Sequence, residues 1–268
     1  MDDWARKVVI VTGASGGVGT ALCRLLASRG CRLGLVGRSR VALEALAEEL
    51  RQAGAACLAC ETDVGERAAW TETLTQFEHR LGPADMFIHT AGRLHLTDPL
   101  RPNIDDLAEM LRVHYLGFVY AVQVLLPGML DRGRGHLVAV GSLGSWRGLP
   151  RAAAYSASKA ALSTYVESLR PPLRQRGILL TTIHLGLVRT SMTDGLSVPR
   201  PWRMLAPDDA ARRIIRAVER RQREAAFPCG QAWAMRLVHK LPPWAFDWCM
   251  TQADRYLFRT AAAPRPTP

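Results

Sequence analysis

Val8-Val9-Ile10-Val11-Thr12-Gly13-Ala14-Ser15-Gly16-Gly17-Val18-Gly19 decides how this chain folds. Its first half is an unbroken apolar, β-branched run, which reads as a buried strand. Its second half is a glycine turn. Ala21-Leu22-Cys23-Arg24-Leu25-Leu26-Ala27 follows and reads as a helix. Strand, glycine turn and helix together are the setting of a dinucleotide-binding fingerprint. Glycines let the backbone come close to a pyrophosphate, and the helix N-terminus offers it unpaired N–H groups. The spacing here is Gly-x-x-x-Gly-x-Gly, not the commoner Gly-x-Gly-x-x-Gly, and a plain tight turn is the competing reading.

Outward from that turn, apolar strand candidates alternate with helical periods. Strands are predicted near 7–12, 32–37, 55–60, 84–89, 135–141, 178–184 and 224–227. Helices are predicted near 17–29, 40–53, 66–81, 103–131, 153–176 and 207–223. Such alternation argues for an α/β fold with a parallel sheet covered on both faces. Right-handed crossovers make that sheet doubly wound. No repeat or low-complexity linker divides the chain. A single domain over 1–260 is expected, with 228–259 as a C-terminal helical extension covering the substrate and 261–268 as a flexible, proline-rich tail.

At the far end of the chain stands Tyr155-Ser156-Ala157-Ser158-Lys159, with Ser142 thirteen residues upstream of the tyrosine. Helical residues four apart share a face, so the phenol and the ammonium are expected side by side. A nearby positive charge lowers a phenol's pKa. The product would be a general acid/base usable near neutral pH. Alone, Tyr-x-x-x-Lys is a weak signal.

Taken together, these segments resemble the short-chain dehydrogenase/reductase family, in its Ser-Tyr-Lys branch, from about Lys7 to about Thr193. Thr12 to Gly19, including Gly13, Ser15, Gly17, Val18 and Gly19, is similar to the family's cofactor turn. Asp63-Val64 resembles its adenine-side pair. Thr90-Ala91-Gly92 resembles its Asn-Ala-Gly turn, with Thr in first place. Ser142, Tyr155 and Lys159 match its catalytic residues. Leu185-Gly186-Leu187-Val188-Arg189-Thr190 resembles its Pro-Gly-x-Val-x-Thr segment, with Leu185 in the proline's place.

The resemblance implies a Rossmann-like sheet in the order 3-2-1-4-5-6-7. It implies a nicotinamide held by Gly186, Val188 and Thr190, and a homodimer or homotetramer formed through the 103–131 and 153–176 helices. In the implied mechanism Ser142 hydrogen-bonds the substrate oxygen. Tyr155 exchanges a proton with that oxygen, and Lys159 lowers the tyrosine pKa and contacts the nicotinamide ribose. One departure bears on chemistry. Val113-His114-Tyr115-Leu116-Gly117 puts histidine where the family usually has an asparagine thought to hold a relay water. Neutral imidazole both donates and accepts, so His114 either holds such a water or merely packs.

The second strand candidate ends Leu35-Val36-Gly37-Arg38-Ser39. An acidic residue there would hold the ribose 2′-hydroxyl of NAD. Gly37 supplies none, and Arg38 can pair with a 2′-phosphate. Ser39 adds a hydroxyl and Arg40 a second charge. NADP(H) is therefore the expected cofactor.

Composition sets wider bounds. The chain has 268 residues, 48% of them hydrophobic, enough for a large core. No run of about eighteen uncharged apolar residues appears, so no spanning helix is expected. The first strand candidate begins within a few residues of Met1 and leaves no room for a signal peptide. The six cysteines are scattered, and only Cys57 and Cys60 are close. They read as small core residues in a reducing cytoplasm rather than zinc ligands or disulfides. The net charge of +11 comes mostly from arginines spread along helices. Nucleic-acid binding would want them in a patch or stripe.

After the sixth strand candidate come Trp202, Trp233, Trp244, Phe246, Trp248, Tyr256 and Phe258, with Trp146 just after Ser142. An aromatic-walled pocket would suit a bulky apolar carbonyl or alcohol such as a lipid, steroid, terpenoid or polyketide. Each aromatic has the alternative of packing a core or a subunit interface. The stretch 235–259, split by Pro242-Pro243, mixes aromatics with Arg236, His239, Lys240 and Arg255. A substrate lid is the favoured reading, and peripheral membrane contact is the alternative. The expected function is NADP(H)-dependent interconversion of a carbonyl and a secondary alcohol. The alternatives are a 3-oxoacyl reductase for a carrier-bound chain and a non-catalytic NADP(H)-binding regulator.

Overall fold

A computed structural model describes residues 4–98, 100–194 and 203–258, with side chains as far as Asp254. Seven parallel strands form one sheet in the order β3-β2-β1-β4-β5-β6-β7. They are β1 Val8–Thr12, β2 Arg32–Gly37, β3 Cys57–Glu61, β4 Met86–His89, β5 Gly135–Ser142, β6 Ile178–Leu185 and β7 Glu224–Phe227. The helices between them are α1 Gly17–Ala27, α2 Arg40–Gln52, α3 Arg67–Leu81, α4 Ile104–Leu111, α5 Gly117–Asp131, α6 Ala153–Arg174 and α7 Pro207–Glu219. Two more, α8 Cys229–Lys240 and α9 Pro243–Phe258, follow β7. The strand order and the enclosing helices are those expected from the sequence.

Strand residues alternate between the two faces, as a period of two requires. Val9, Val11, Leu33, Leu35, Ile88 and Val138 pack with Leu22 and Leu26 of α1, Leu43 and Leu46 of α2, and Ile214 and Ile215 of α7. Val8, Ile10, Phe87, Leu137 and Ala139 face the other way, onto Trp70 and Phe77 of α3, Phe118 and Leu125 of α5, and Leu162 and Val166 of α6. Burial on both faces is why these strands read as continuous apolar runs.

The 103–131 prediction needs one correction. The helix is not uniform: Arg112–Leu116 is a π-helical stretch between α4 and α5. Its cause is local crowding. A Cβ on Gly117 would stand 2.9 Å from Val64 Cγ2 and 3.1 Å from the Val64 carbonyl oxygen, so the helix passes the β3–α3 turn backbone to side chain. The indole N–H of Trp70 donates to the Gly117 carbonyl at 2.9 Å. The expectation of no span also needs qualifying. The run 104–131 is long and apolar enough to cross a bilayer by length and composition, with a mean hydropathy of 1.5 in its best window. Phe118, Ala121, Leu125 and Met129 on this run are buried in the core.

Candidate active site

The strand order reverses at β1 and β4, and the site gathers at the carboxyl ends of the strands around that point. The glycine turn is compact. Gly13 has φ +65°, and a Cβ there would meet the Ala91 nitrogen at 2.9 Å. A Cβ on Gly19 would stand 2.0 Å from the Gly13 carbonyl oxygen, and one on Gly17 would stand 2.7 Å from Thr190 Cγ2. Helix α1 starts directly behind this turn, with no side-chain cap and no acid in its first turn. Its first N–H groups thus suit a pyrophosphate. Across the turn, the Ala91 N–H donates to Thr12 Oγ1 at 3.1 Å, and Thr90 Oγ1 donates to the Thr12 carbonyl.

On the adenosine side, Gly37 must be glycine because a Cβ would come within 2.8 Å of Ser15 Oγ. Arg38 is at the end of β2 as expected, but its guanidinium lies 3.8 Å from Glu109. Glu109 also pairs closely with Arg93 and lies 3.5 Å from His95 Nε2. Ser39 caps α2, its Oγ accepting from the Ala42 N–H at 3.4 Å, and Arg40 pairs with Glu44 at 2.7 Å. Asp63 Oδ1 accepts from the Gly65 N–H at 2.8 Å, and Val64 is buried. Glu109 and Arg93 were not singled out in the sequence. No local pattern announces them, because α4 and the β4 turn meet only in three dimensions.

Strand β5 delivers Ser142 and helix α6 delivers Tyr155 and Lys159. Ser142 and Lys159 are both buried. The Tyr155 phenol lies near enough to the Ser142 hydroxyl for the serine to favour its ionised form. Ser145, three residues further on, donates its hydroxyl to the Ser142 carbonyl at 2.6 Å.

Here the electrostatics differ from the sequence expectation. The Tyr155 phenol is pushed above its ordinary value by burial, and the Ser142 hydroxyl offsets only part of that rise. The ammonium does not lower it in this state. Lys159 Nζ instead donates to the Val140 carbonyl at 2.9 Å, and desolvation brings its pKa down to about 8. A lysine that points at a carbonyl and is itself starved of water has less charge to lend its neighbour.

His114 is fully buried, and both its ring nitrogens are engaged. Nε2 accepts from the Arg93 backbone N–H at 2.8 Å. Nδ1 therefore carries the proton and donates to Ser158 Oγ at 2.8 Å. This tautomer is assigned from the partners. Ser158 in turn donates to the Tyr155 carbonyl at 2.8 Å. The imidazole stands edge-on to the Tyr155 ring, centroids 5.5 Å apart. Burial and the Lys159 charge hold His114 well below the ordinary histidine value, so it is neutral. In this arrangement both ring nitrogens are committed to protein partners, and none is left for a relay water. His89, which the sequence reading passed over, works in parallel. Its Nε2 donates to the Val113 carbonyl at 3.1 Å, and its Nδ1 accepts from Thr12 at 3.0 Å.

The β6 segment closes the site. The Gly186 N–H donates to the Phe227 carbonyl at 2.8 Å, and a Cβ there would stand 2.3 Å from Gln231 Oε1. Val188 bridges to Leu205. Thr190 caps a short turn, exchanging hydrogen bonds with Thr193. Leu143 and Leu149 stand beside Ser142, each within 3.1 Å of where a Cβ on Gly186 or Gly144 would lie.

The comparisons with known proteins agree with this geometry. The family model described as short chain dehydrogenase matches residues 7–200. The chain belongs to the short-chain dehydrogenase family. This short-chain dehydrogenase is 35% identical over 247 residues to an uncharacterised oxidoreductase of Myxococcus xanthus, covering 92% of this chain and 97% of that one. It is 34% identical over 233 residues to an uncharacterised oxidoreductase of Mycobacterium tuberculosis, covering 84% and 67%. Among solved structures, a Serratia marcescens short-chain dehydrogenase/reductase mutant superposes with a TM-score of 0.79 at 25% identity, over 86% of this chain and 99% of that one. An alcohol dehydrogenase from Thermococcus sibiricus, complexed with 5-hydroxy-NADP, superposes with a TM-score of 0.75 at 25% identity, over 82% and 95%.

The aromatic wall expected over the substrate needs correction. Trp233, Trp244 and Trp248 are exposed to solvent. Phe246 lies under the Arg147 guanidinium, 4.2 Å from it. Trp146 packs on His184, ring centroids 5.0 Å apart. The more buried residues of α8 and α9, Ala232 on the first and Phe246 and Met250 on the second, lie on other sides of their helices than the exposed tryptophans. Trp202 and the side chains of Tyr256 and Phe258 lie outside the described residues.

Proposed function

We propose that this short-chain dehydrogenase is an NADP(H)-dependent oxidoreductase that interconverts a carbonyl and a secondary alcohol on a bulky apolar substrate. The observation that carries the reading is the convergence of buried Ser142 at the end of β5 and buried Lys159, one helical turn along α6, on the Tyr155 phenol. Ser142 would orient the substrate oxygen. A phenol held up by burial is protonated at neutral pH, so Tyr155 is ready to donate to that oxygen during reduction. Lys159, close to its titration point, supplies positive charge as the oxygen changes hands. When bound, the nicotinamide supplies the hydride. The glycine turn and the uncapped start of α1 would hold its pyrophosphate, with Gly186, Val188 and Thr190 on the nicotinamide side.

Further features support the reading. Arg38 follows Gly37, which lacks the acid that would hold the ribose 2′-hydroxyl of NAD, and the Thermococcus alcohol dehydrogenase was solved with 5-hydroxy-NADP. Leu143 and Leu149 beside Ser142 favour an apolar substrate. Half-buried Tyr120, Val124, Leu126, Tyr165 and Leu169 on α5 and α6 fit self-association through those helices. The free thiols suit a reducing compartment such as the cytoplasm.

The test is a titration of tryptophan fluorescence with NADPH and with NADH. NADPH should bind at least roughly tenfold tighter, as a charge-assisted phosphate contact implies. Arg38→Ala should erase that difference. Glu109→Gln, which releases Arg38 from a competing carboxylate, should tighten NADPH alone by up to about fivefold. Equal affinities in the unmodified protein would refute the NADP assignment.

A further inference from the structure

The outer faces of α8 and α9 carry large apolar side chains that nothing in the described residues covers. Trp233 and Leu237, one turn apart on α8, are 66% and 47% exposed. Trp244 and Trp248, one turn apart on α9, are 76% and 66% exposed. Scattered surface leucines need no explanation, but three open tryptophans on adjoining helices mark a contact surface.

The charges around them say what kind of contact. Helix α8 carries Arg236, His239 and Lys240 and no Asp or Glu. Lys240 is exposed three residues past Leu237, and the exposed Arg236 has its guanidinium over the Trp146 ring, 5.4 Å from its centroid. On α9, Asp247 is an exposed acid between the two tryptophans, and Asp254 is paired with Arg151 at 2.9 Å. The chain as a whole carries +11.

We infer that this face docks on an anionic phospholipid surface. Trp233, Trp244 and Trp248 would enter the headgroup layer, where a ring with one polar edge is best placed. Lys240 would meet lipid phosphates, and Arg236 would add positive charge from its place over Trp146. A second copy of the chain fits less well. An isologous contact sets the patch against itself, which brings two Arg236–Lys240 pairs together with one Asp247 from each copy to offset them.

The inner side of the same helix reaches the active site. Gln231 accepts from the Leu187 N–H and donates to the Arg203 carbonyl, both at 3.1 Å. His239 hydrogen-bonds the Trp146 carbonyl at 2.6 Å, four residues past Ser142. Docking through the outer side therefore brings the mouth of the site toward the bilayer, where an apolar ketone accumulates. That consequence rests on the function proposed above, but the docking itself does not.

The test is co-sedimentation of the full chain with phosphatidylcholine vesicles, made with and without phosphatidylglycerol. The protein should sediment with the anionic vesicles. Trp244→Ser/Trp248→Ser should bind them roughly tenfold or more weakly, since each indole withdrawn from the interface forfeits its apolar transfer. Lys240→Glu should weaken the preference for the anionic lipid. Both variants should keep the NADPH affinity and the melting temperature of the parent. No sedimentation would overturn the inference. So would equal binding by the tryptophan variant, which would leave only diffuse charge attraction. A smaller assembly in sedimentation velocity for that variant, with no vesicle binding by the parent, would overturn it too and make the face an interface between copies. If no ketone is turned over while vesicle binding behaves as stated, the function falls and the docking stands.

Discussion

His114 shows how one residue can be legible in sequence while its role is left open between two readings. Its place before Tyr115-Leu116-Gly117 marks it as a site residue, but its work is set by Arg93 and Ser158, which no sequence spacing connects to it. The neutral ring ties the turn after β4 to the helix turn that carries Tyr155. A shorter carboxamide cannot keep both partners. His114→Asn should therefore lower stability by about 1–2 kcal/mol, the cost of one buried unsatisfied partner, without moving the pH profile of kcat. Thermal melts together with kcat measured across pH would decide this. A displaced profile with unchanged stability would restore the relay-water role. Arg38 is a similar case. The missing acid at Gly37 can be read from sequence, whereas the Glu109 carboxylate that shares Arg38 depends on how α4 packs across the β1–β4 edge.

At the scale of elements, most of the architecture could be read directly. Strands buried on both faces leave apolar runs, and every strand and helix expected between Lys7 and Arg223 is found close to its place. Pro242-Pro243 divides α8 from α9 as proline in a helix start should. The π-helical stretch at Arg112–Leu116 was not legible, because its cause is contact between Gly117 and Val64 rather than any residue preference. The phases of α8 and α9 were not legible either, since a tryptophan-rich helix reads alike whether it lines a pocket or faces outward.

The glycine turn gives the sharpest expectation at this scale. A methyl on Gly19 would overlap the Gly13 carbonyl. Gly19→Ala should abolish cofactor binding and destabilise by about 1–3 kcal/mol, the usual cost of overpacking. Calorimetry of the variant with and without NADPH would show both effects. Intact binding would mean that the turn opens more easily than its packing implies.

Over the whole molecule, the buried neutral histidines make acid the natural stress. Desolvation brings His89 down to about 3, and His114 lies well below the ordinary value. In the unfolded chain both would titrate near about 6.5. Between those limits the unfolded state binds more protons than the folded one, so stability rises with pH and is lost as pH falls below about 6.5. Each pH unit inside that window costs up to about 1.4 kcal/mol per histidine. The melting temperature should fall steadily from pH 6.5 toward pH 4, and less steeply in His89→Gln. A flat profile in the unmodified protein would mean that these rings gain protons without unfolding.

The most direct measurement is hydride tracing. NADPH carrying deuterium at the transferable position would be incubated with an apolar ketone and the protein, and the product alcohol analysed by mass spectrometry. One deuterium should appear at the carbinol carbon for each NADPH consumed, and Tyr155→Phe should slow this by roughly a hundredfold or more while still binding NADPH. NADPH consumption without deuterium in the alcohol, or a Tyr155→Phe variant as fast as the parent, would contradict the account.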